Sequence, residues 1–401
     1  MKLDWSLLLS RSLKSYILLG LVLITALFIP MGPSALAIIS GITIGTWIAS
    51  ANWYKDWRLW INRPWFWAAV VFSLIHWLGL VWSPDTKIGI SFALRTWFWL
   101  LGLAIISTPQ NPDTGQKVYL AVLMGIAGMA LVSFMQCWGW IPMRREMPAG
   151  FIGHIEHSLL LVFGMVMASW EFAKEHRLGW KIFWISLLIL FILNMTVSWG
   201  RAGYLSLAIF SPVIAWNLLG RRRIFLALLL IAITGGLMYL SPTVQYRVKW
   251  GISDIQHFQN NDPNTSLGGR LVMWKNSITM IKEHPFIGTG TGSFTQVYTQ
   301  KYSTPPWNAK HPHNLFLYLG VSFGLLGILS GIAFFWTLIW EGFKYRHTRV
   351  GYGLLIYILI MLIGSMTEIQ LIVNPTGPLL ALLGGLLAHL PYPSDLWSSK
   401  A

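Results

Sequence analysis

Side chains that could transfer protons or bind anions are concentrated between Ser241 and Gly327. From Ser241 to His313 the chain is polar and mixed in charge, whereas the sequence on both sides of that stretch is strongly apolar. A loop of this length is uncommon in a compact protein unless it is functional. Its candidate groups are Arg247, Lys249, Asp254, His257, Arg270, Lys275, His284, Lys310, His311 and His313. If the protein is an enzyme, we expect its site here.

His313 is the first candidate for a catalytic group. It lies two residues after His311 and next to Asn314, where the polar stretch returns to apolar sequence. An imidazole titrates near neutral pH and can take a proton from an incoming hydroxyl group. A histidine that caps a helix or lies at a membrane interface would look the same in isolation. Nine residues separate Asn314 from Gly324, and two more separate Gly324 from Gly327.

Two arginines are the candidates for binding phosphate groups. Arg270 follows Gly269 and precedes Trp274, and Arg201 lies in the stretch Ser198-Trp199-Gly200-Arg201-Ala202-Gly203. A guanidinium group is always charged and matches the geometry of phosphate oxygens. The alternative for Arg270 is a cation on a surface helix that touches lipid headgroups. The alternative for Arg201 is an interfacial residue that extends its charge toward water.

Weaker candidates lie outside these motifs. Arg95 lies in an apolar run, where it could bind a lipid phosphate, extend to the interface or form a structural ion pair. Arg144 and Arg145 form a basic loop that could touch phosphate groups of a substrate. Glu368 could polarise His313 or make a structural ion pair.

The acids argue for a reaction without metal. Binding a divalent cation calls for paired carboxylates, yet the chain has no Asp-x-Asp and the loop acids Asp254, Asp262 and Glu283 are scattered. His154 and His157 could ligate a metal from one helix face, but no third ligand accompanies them. We therefore expect no metal and no cofactor.

Composition predicts an all-α polytopic membrane protein. Hydrophobic residues make up 55% of the 401 residues and charged residues 11%, and the mean hydropathy is +0.58. The net charge of +15 could indicate nucleic acid, but the basic residues lie in short loops between apolar runs. Anionic membrane lipids and the positive-inside rule explain that distribution better, so we expect no nucleic acid partner.

Apolar runs long enough to span a membrane divide the chain. They lie at roughly 16–30, 34–53, 64–83, 90–107, 118–141, 158–173, 181–199, 202–219, 224–240, 314–340, 350–371 and 377–391. The expected organisation is nine spans over 1–240, a loop over 241–313 and three spans over 314–401. Most Lys and Arg residues lie in the loops that would be cytoplasmic if the N-terminus is, so we expect both termini inside and the large loop outside.

The large loop contains one predicted helix. Asn261-Asp262-Pro263-Asn264-Thr265-Ser266 is typical of a turn and helix cap, and Leu271, Trp274, Ile278 and Ile281 follow with helical spacing. Such a helix places Arg270, Trp274 and Ser277 along one side. His284-Pro285 should end it, and the stretch Gly288-Thr289-Gly290-Thr291-Gly292 is interpreted as a flexible connector.

Three motifs resemble the O-antigen ligase (WaaL) family, whose superfamily also includes the Wzy polymerases. They are the Arg201 stretch, similar to an "SRG" motif, then Gly269-Arg270 with Trp274, and His311-Pro312-His313-Asn314 with its glycines. The first motif departs from the family pattern, because Trp199-Gly200 separates Ser198 from Arg201. The topology matches along the whole chain, while the motifs cover only about 198–327.

The resemblance implies a GT-C-like fold and an enzyme of lipopolysaccharide biosynthesis in the inner membrane of a Gram-negative bacterium, with its site facing the periplasm. The donor would be a glycan on undecaprenyl diphosphate and the acceptor lipid A-core. Arg201 and Arg270 would stabilise the diphosphate leaving group, and His313 would be the general base or orient the acceptor. The expected substrate-binding residues are Arg95, Arg144, Arg145, Trp274, His311 and Asn314.

Several alternatives stay open. A Wzy-type polymerase would join repeat units on the lipid carrier, and only the His-Asn-Gly pattern favours the ligase. A protein O-oligosaccharyltransferase is a third enzymatic possibility. A lipid or glycan transporter would be expected to carry several intramembrane acids and paired broken helices, whereas the apolar runs hold few ionisable groups, chiefly His76, Arg95 and Glu368.

Overall fold

The computed structural model describes residues 11–50, 53–109, 112–143, 147–220, 223–260, 262–302, 309–373 and 375–390. These residues form helices and no strand, which confirms the all-α prediction. The helices are α1 (Arg11–Phe28), α2 (Pro33–Ser50), α3 (Trp53–Ile61), α4 (Pro64–Leu78), α5 (Thr86–Ala93), α6 (Trp99–Ile106), α7 (Pro112–Cys137), α8 (His154–Lys174), α9 (Leu178–Val197), α10 (Arg201–Leu219), α11 (Ile224–Leu240), α12 (Pro242–Gln259), α13 (Ser266–Glu283), α14 (Phe294–Lys301), α15 (Leu315–Lys344), α16 (Arg349–Ser365) and α17 (Thr376–Leu386).

Among the described residues, eight helical segments are long and apolar enough to cross a membrane. A ninth is added if α11 (from Phe225) and α12, which meet at 77°, count as one bent span. Three shorter apolar helices, α4, α16 and α17, join them. Each of the twelve predicted apolar runs contains one of these helices, so the prediction of a polytopic membrane protein is confirmed, although fewer than twelve helices meet the length required for a span.

The core of the bundle lies around α8. Every residue of α8 from Ile155 to Glu171 is buried, and α9, α10 and α16 pack around it. A helix that is apolar on all sides must be surrounded by protein or lipid. Gly203 of α10 has no room for a Cβ atom because Ser158 of α8 lies against it. This close approach brings the first turn of α10, which begins at Arg201, beside the first turn of α8.

The break in α15 explains the spacing of its glycines. Gly324 has a φ of +61° and a non-helical ψ, so the helix is interrupted one third of the way along its length. The carbonyl groups of Pro285 and Phe286 accept hydrogen bonds from Leu325 and Leu326 at 2.7 and 3.3 Å. A side chain at Gly324 would collide with that segment. The glycine thus leaves room for the segment that contains Pro285 and Phe286 to pack against the break in α15.

The strap formed by residues 285–293 is not the flexible connector that the sequence suggested. Thr289 and Gly290 donate backbone hydrogen bonds to Val321 and Ser322 at 2.8 and 2.9 Å, and Thr291 donates to Gly79 at 3.1 Å. Residues 288–293 are buried. The strap therefore fixes the ends of α4 and α15 to each other, and the prediction of flexibility was wrong because these contacts are non-local.

The described residues of the 241–313 region form three helices rather than one. α13 begins after Thr265, whose hydroxyl oxygen accepts a hydrogen bond from the backbone of Gly268 at 3.0 Å, and ends at Glu283, as the cap and His-Pro signals predicted. α12 and α14 were not anticipated. A small apolar cluster of Met273, Met280, Phe294, Tyr298 and Val321 packs α13 and α14 onto α15. This packing holds Arg270 above the start of α15.

Candidate functional site

His313 lies at the entrance to α15 in a strained backbone conformation. Its φ of +51° is the only positive φ of a non-glycine residue in the described part of the chain. Such a conformation costs about 1–3 kcal/mol and persists only where surrounding structure enforces it. Asn314 caps the helix by accepting hydrogen bonds from Phe316 and Leu317 at 3.0 and 3.1 Å, and Trp274 of α13 donates its indole N–H to the Pro312 carbonyl at 2.9 Å. These two contacts hold the histidine on both sides.

Glu368, in the turn after α16, contacts both histidines of the motif. Its Oε2 lies 2.9 Å from Nδ1 of His313, and its Oε1 lies 3.4 Å from Nδ1 of His311. The backbone N–H of His313 donates to that same Nδ1 of His311 at 3.3 Å, so this nitrogen carries no proton. Nδ1 of His313 is then the donor to Glu368. The remaining nitrogen of His313, Nε2, is left free to accept a proton, as in carboxylate–histidine pairs of hydrolases.

The titration of these groups supports the same assignment. Burial opposes ionisation of Glu368, but the hydrogen bond from His313 and the neighbouring imidazoles outweigh it and hold the carboxyl pKa at about 2. Burial lowers the pKa of His311 to about 4, against the effect of the Glu368 carboxylate. At neutral pH, Glu368 is therefore an anion and His311 is a neutral ring.

A cavity of about 380 Å³ lies in front of His313. Its other walls come from the start of α13 and the turn before it, and include Pro263, Thr265, Arg270 and Met273. The cavity joins an imidazole and a guanidinium group in one space, which is the combination expected for proton removal beside a developing anion. The structure therefore brings His313 and Arg270 together, as the motifs suggested.

A second cavity, of about 150 Å³, shares Arg270 and Ser266 with the first. It is also lined by Arg201 at the start of α10 and by Arg247 of α12. Three guanidinium groups from three helices thus line one small space. The two cavities adjoin at Arg270, so that an anion held by the arginines would lie next to the cavity of His313.

The charges around the second cavity leave a positive excess. Arg201 forms an ion pair with buried Asp254 at 3.4 Å. Among the described residues, neither Arg247 nor Arg270 has a carboxylate within ion-pair distance. Burial lowers the pKa of both arginines. Because guanidinium groups keep their proton, both side chains are still cations, and the shift shows that they are partly removed from water. Such a cavity favours a multiply charged anion such as a diphosphate.

Arg247 was among the candidate groups of the polar stretch, but no role in the site was predicted for it. Its Nε–H donates to the Trp199 carbonyl at 3.1 Å, and its guanidinium carbon lies 5.3 and 5.1 Å from the ring centres of Trp199 and Trp250. These cation–π contacts hold the side chain in place. They also give Trp199, the residue that interrupts the "SRG" pattern, a structural role in the site. The signal available was the cap Ser241-Pro242, which starts a helix that carries Arg247 one and a half turns later.

The remaining predicted residues have varied positions. His311 packs against His313 with ring centres 4.4 Å apart. Asn314 and Trp274 are engaged in the cap and the Pro312 contact, so their side chains position the histidines, and a direct substrate contact for them stays a prediction. Arg95 is exposed and lies over the ring of Phe92 at 4.9 Å. Arg144 and Arg145 lie outside the described residues.

Three groups could hold a metal ion. His311, His313 and Glu368 each offer one ligand atom, and these atoms lie within 4.8 Å of one another. In the described part of the chain no other group of three or more His, Cys, Asp or Glu side chains does so. His157, by contrast, bonds to Asn194 through Nε2 at 2.7 Å. Two histidines and a carboxylate are ligands that suit zinc. The expectation of a reaction without metal therefore stays a prediction.

Comparison with known proteins identifies relatives over much of the chain. Residues 184–332 match a family model described as O-Antigen ligase, and this range contains Arg201, Arg247, Arg270 and His313. An uncharacterized protein of Haemophilus influenzae is 27% identical over 209 residues, which cover 49% of this chain and 52% of that protein. An O-antigen ligase of Salmonella typhimurium is 23% identical over 291 residues, covering 69% of this chain and 70% of that protein. The match thus spans about half the length of the first relative.

Proposed function

Because this chain belongs to the O-antigen ligase/Wzy superfamily, we propose that it is an O-antigen ligase. It transfers a glycan from undecaprenyl diphosphate to a sugar hydroxyl of lipid A-core. The observation that carries this proposal is the pair of adjoining cavities, one with a carboxylate-bound histidine and one with three arginines, which share Arg270. A glycosyl transfer needs a base for the acceptor hydroxyl group and, next to it, a site for the anionic leaving group.

His313 acts as the general base. The acceptor hydroxyl group gives its proton to Nε2 as its oxygen attacks the anomeric carbon of the donor sugar. Nδ1 keeps its proton and its hydrogen bond to Glu368, which stabilises the imidazolium ion that forms. One C–O bond forms and the C–O bond to the diphosphate breaks in the same displacement.

The three arginines stabilise the leaving group. The electron pair of the broken C–O bond remains on the diphosphate, whose negative charge increases in the transition state. Arg201, Arg247 and Arg270 line the cavity in which that charge would develop, and fixed cations in a partly desolvated site stabilise such charge strongly. No part of this scheme requires a metal ion or a cofactor.

The proposed location follows from the substrates and from the distribution of basic residues. The protein lies in the inner membrane with both termini in the cytoplasm, and the 241–313 region faces the periplasm. The lipid-linked donor can then reach the site from the bilayer while its glycan lies in the periplasm. Arg144 and Arg145 remain proposed contacts for acceptor phosphates.

The test is glycan transfer by the purified protein, with lipid-diphosphate-linked glycan as donor and lipid A-core as acceptor. We expect glycan to appear on lipid A-core, and we expect His313→Ala to lower the rate by roughly a hundredfold or more. His284→Ala is the matched control, because His284 is an exposed histidine of the same region and contributes only its backbone to the end of α13.

Other outcomes would identify the alternatives. Longer chains that remain on the lipid diphosphate would indicate a Wzy-type polymerase and would contradict ligation. Donor movement across a vesicle membrane without any new glycosidic bond would indicate a transporter. A His313→Ala variant with normal transfer would remove the proposed base while leaving the family unchanged.

A further inference from the structure

A deep apolar groove lies between α4 and the turn that joins α5 to α6. It has a volume of about 420 Å³, and its floor is formed by the buried side chains of Trp65, Ala69, Ala93 and Trp99. Its rim includes exposed Leu74 and Trp77. Apart from hydroxyl groups, the lining is apolar. Since α4 is an apolar helix and α5 and α6 belong to one candidate span, the groove is suited to a hydrocarbon chain.

The length of the groove matches one membrane leaflet. Its lining on α4 runs from Trp65 to Trp77, which at the helical rise corresponds to about 18 Å. The hydrocarbon core of a bilayer is about 30 Å thick, so one leaflet accounts for about half of that. A fatty acyl chain fits this length, whereas an undecaprenyl chain is several times longer than the groove.

Arg95 is next in the chain to residues that line the groove. It belongs to the 3₁₀ turn Leu94–Phe98 that interrupts the span, and its neighbours Leu94, Thr96 and Trp97 line the groove. Among the described residues, no carboxylate lies within ion-pair distance of Arg95. An unpaired cation within a membrane span is costly unless it meets an anion. A phosphate attached to the lipid whose chain occupies the groove would supply that anion.

Phe92 connects Arg95 with the histidines. It contacts both Arg95, whose guanidinium carbon lies 4.9 Å from the Phe92 ring centre, and His311, with ring centres 6.5 Å apart. A phosphate held by Arg95 would therefore lie close to the histidines. Together with the length of the groove, this closeness favours an acyl chain of the acceptor over the polyprenyl chain of the donor.

We infer that this groove and Arg95 bind the acceptor, by one acyl chain and one phosphate of a phosphorylated, acylated glycolipid. The inference rests on the proposed function and deepens it, since it separates the acceptor from the polyprenyl donor. The groove positions the acceptor so that its sugar hydroxyl reaches the cavity of His313. Donor binding is then the task of the arginine cavity alone.

The test fills the groove and measures the preference for an acylated acceptor. Ser73→Trp places a large ring in the groove, whereas Ser186→Trp makes the same change at an exposed position of α9 outside it. We compare kcat/KM for lipid A-core and for the same acceptor after deacylation. Wild type and Ser186→Trp should prefer the acylated acceptor by about tenfold or more, and Ser73→Trp should lose that preference. Arg95→Gln should raise the KM for a phosphorylated acceptor and not for its dephosphorylated form.

Two results would overturn the inference. If Ser73→Trp raises the KM for the donor and leaves the acceptor preference intact, the groove holds the polyprenyl chain. If neither substrate is affected, the groove holds only bulk lipid. Should wild type show no transfer at all, the proposed function fails separately, and native mass spectrometry of lipid A-core bound to wild type and to Ser73→Trp still decides whether the groove binds that lipid.

Discussion

Nδ1 of His313 lies 2.9 Å from Oε2 of Glu368, although the two residues are 55 positions apart in the chain. The contact joins the loop before α15 to the turn after α16, so the packing of these helices sets the orientation of the imidazole. A carboxylate in this position fixes the tautomer and stabilises the charged ring after proton transfer. Glu368 is thus a positioning residue, because it acts through His313.

Glu368→Gln should lower kcat by about tenfold or more while leaving both KM values nearly unchanged. The amide can still accept the hydrogen bond from Nδ1, but it cannot stabilise the imidazolium ion with a negative charge. Steady-state kinetics of glycan transfer would measure the effect. Glu283→Gln is the control, since Glu283 is a partly exposed acid of α13 that pairs with Lys301. An unchanged kcat in Glu368→Gln would show that the carboxylate has no part in the reaction.

Arg247→Gln should lower kcat by roughly a hundredfold, the effect of removing one preorganised donor to a developing anion. Arg247→Lys should have an intermediate rate, because it keeps the charge but loses the planar fork and its stacking on Trp199 and Trp250. Binding of undecaprenyl diphosphate, measured separately, should weaken in the same order. Arg177→Gln is the control at an exposed arginine outside the cavity. Equal rates for wild type and Arg247→Gln would assign diphosphate stabilisation to Arg201 and Arg270 alone.

Chelation tests the role of metal directly. We expect EDTA to leave glycan transfer unchanged, because the proposed displacement uses only His313 and the arginines. Inhibition by EDTA that added zinc reverses would instead indicate that His311, His313 and Glu368 hold a metal ion. In that case His311→Asn should also reduce the amount of zinc that copurifies with the protein, which elemental analysis would measure.

Much of the architecture could be predicted from the sequence, because membrane helices are specified by local hydropathy. The ends of α13 were also predictable, since Thr265 and His284-Pro285 are local signals. The relationships that create the site are not local. Glu368 reaches His313 only through the packing of α15 and α16. Likewise, the strap with Thr289 is rigid only because its backbone pairs with α15.

The position of Arg247 in the cavity of the three arginines could not be predicted from the sequence either. Its helix, α12, lies in the stretch that is polar in sequence, and no spacing rule connects Arg247 with Arg201 or Arg270. The three arginines meet because α12 packs against α13 and because Gly251 of α12 leaves room for the guanidinium group of Arg201. The motifs could therefore indicate two members of the cavity, while the third required the fold.

Acidification should destabilise the protein in a window set by His311. Its pKa is lowered by burial from 6.5 to about 4, so the unfolded chain takes up a proton between these values and the folded protein does not. The contribution of the neutral His311 ring to stability is then fully present above pH 6.5 and is lost as the pH falls toward 4. The lowered pKa of Glu368, about 2 instead of 4.5, adds a further loss only below pH 4.5.

His311→Asn removes the titrating ring and can still accept the hydrogen bond from the His313 backbone. Thermal unfolding in detergent should show a Tm that falls a few degrees less between pH 7 and pH 5 in this variant than in wild type. His284→Asn should follow wild type, and parallel curves for wild type and His311→Asn would contradict the burial of a neutral His311.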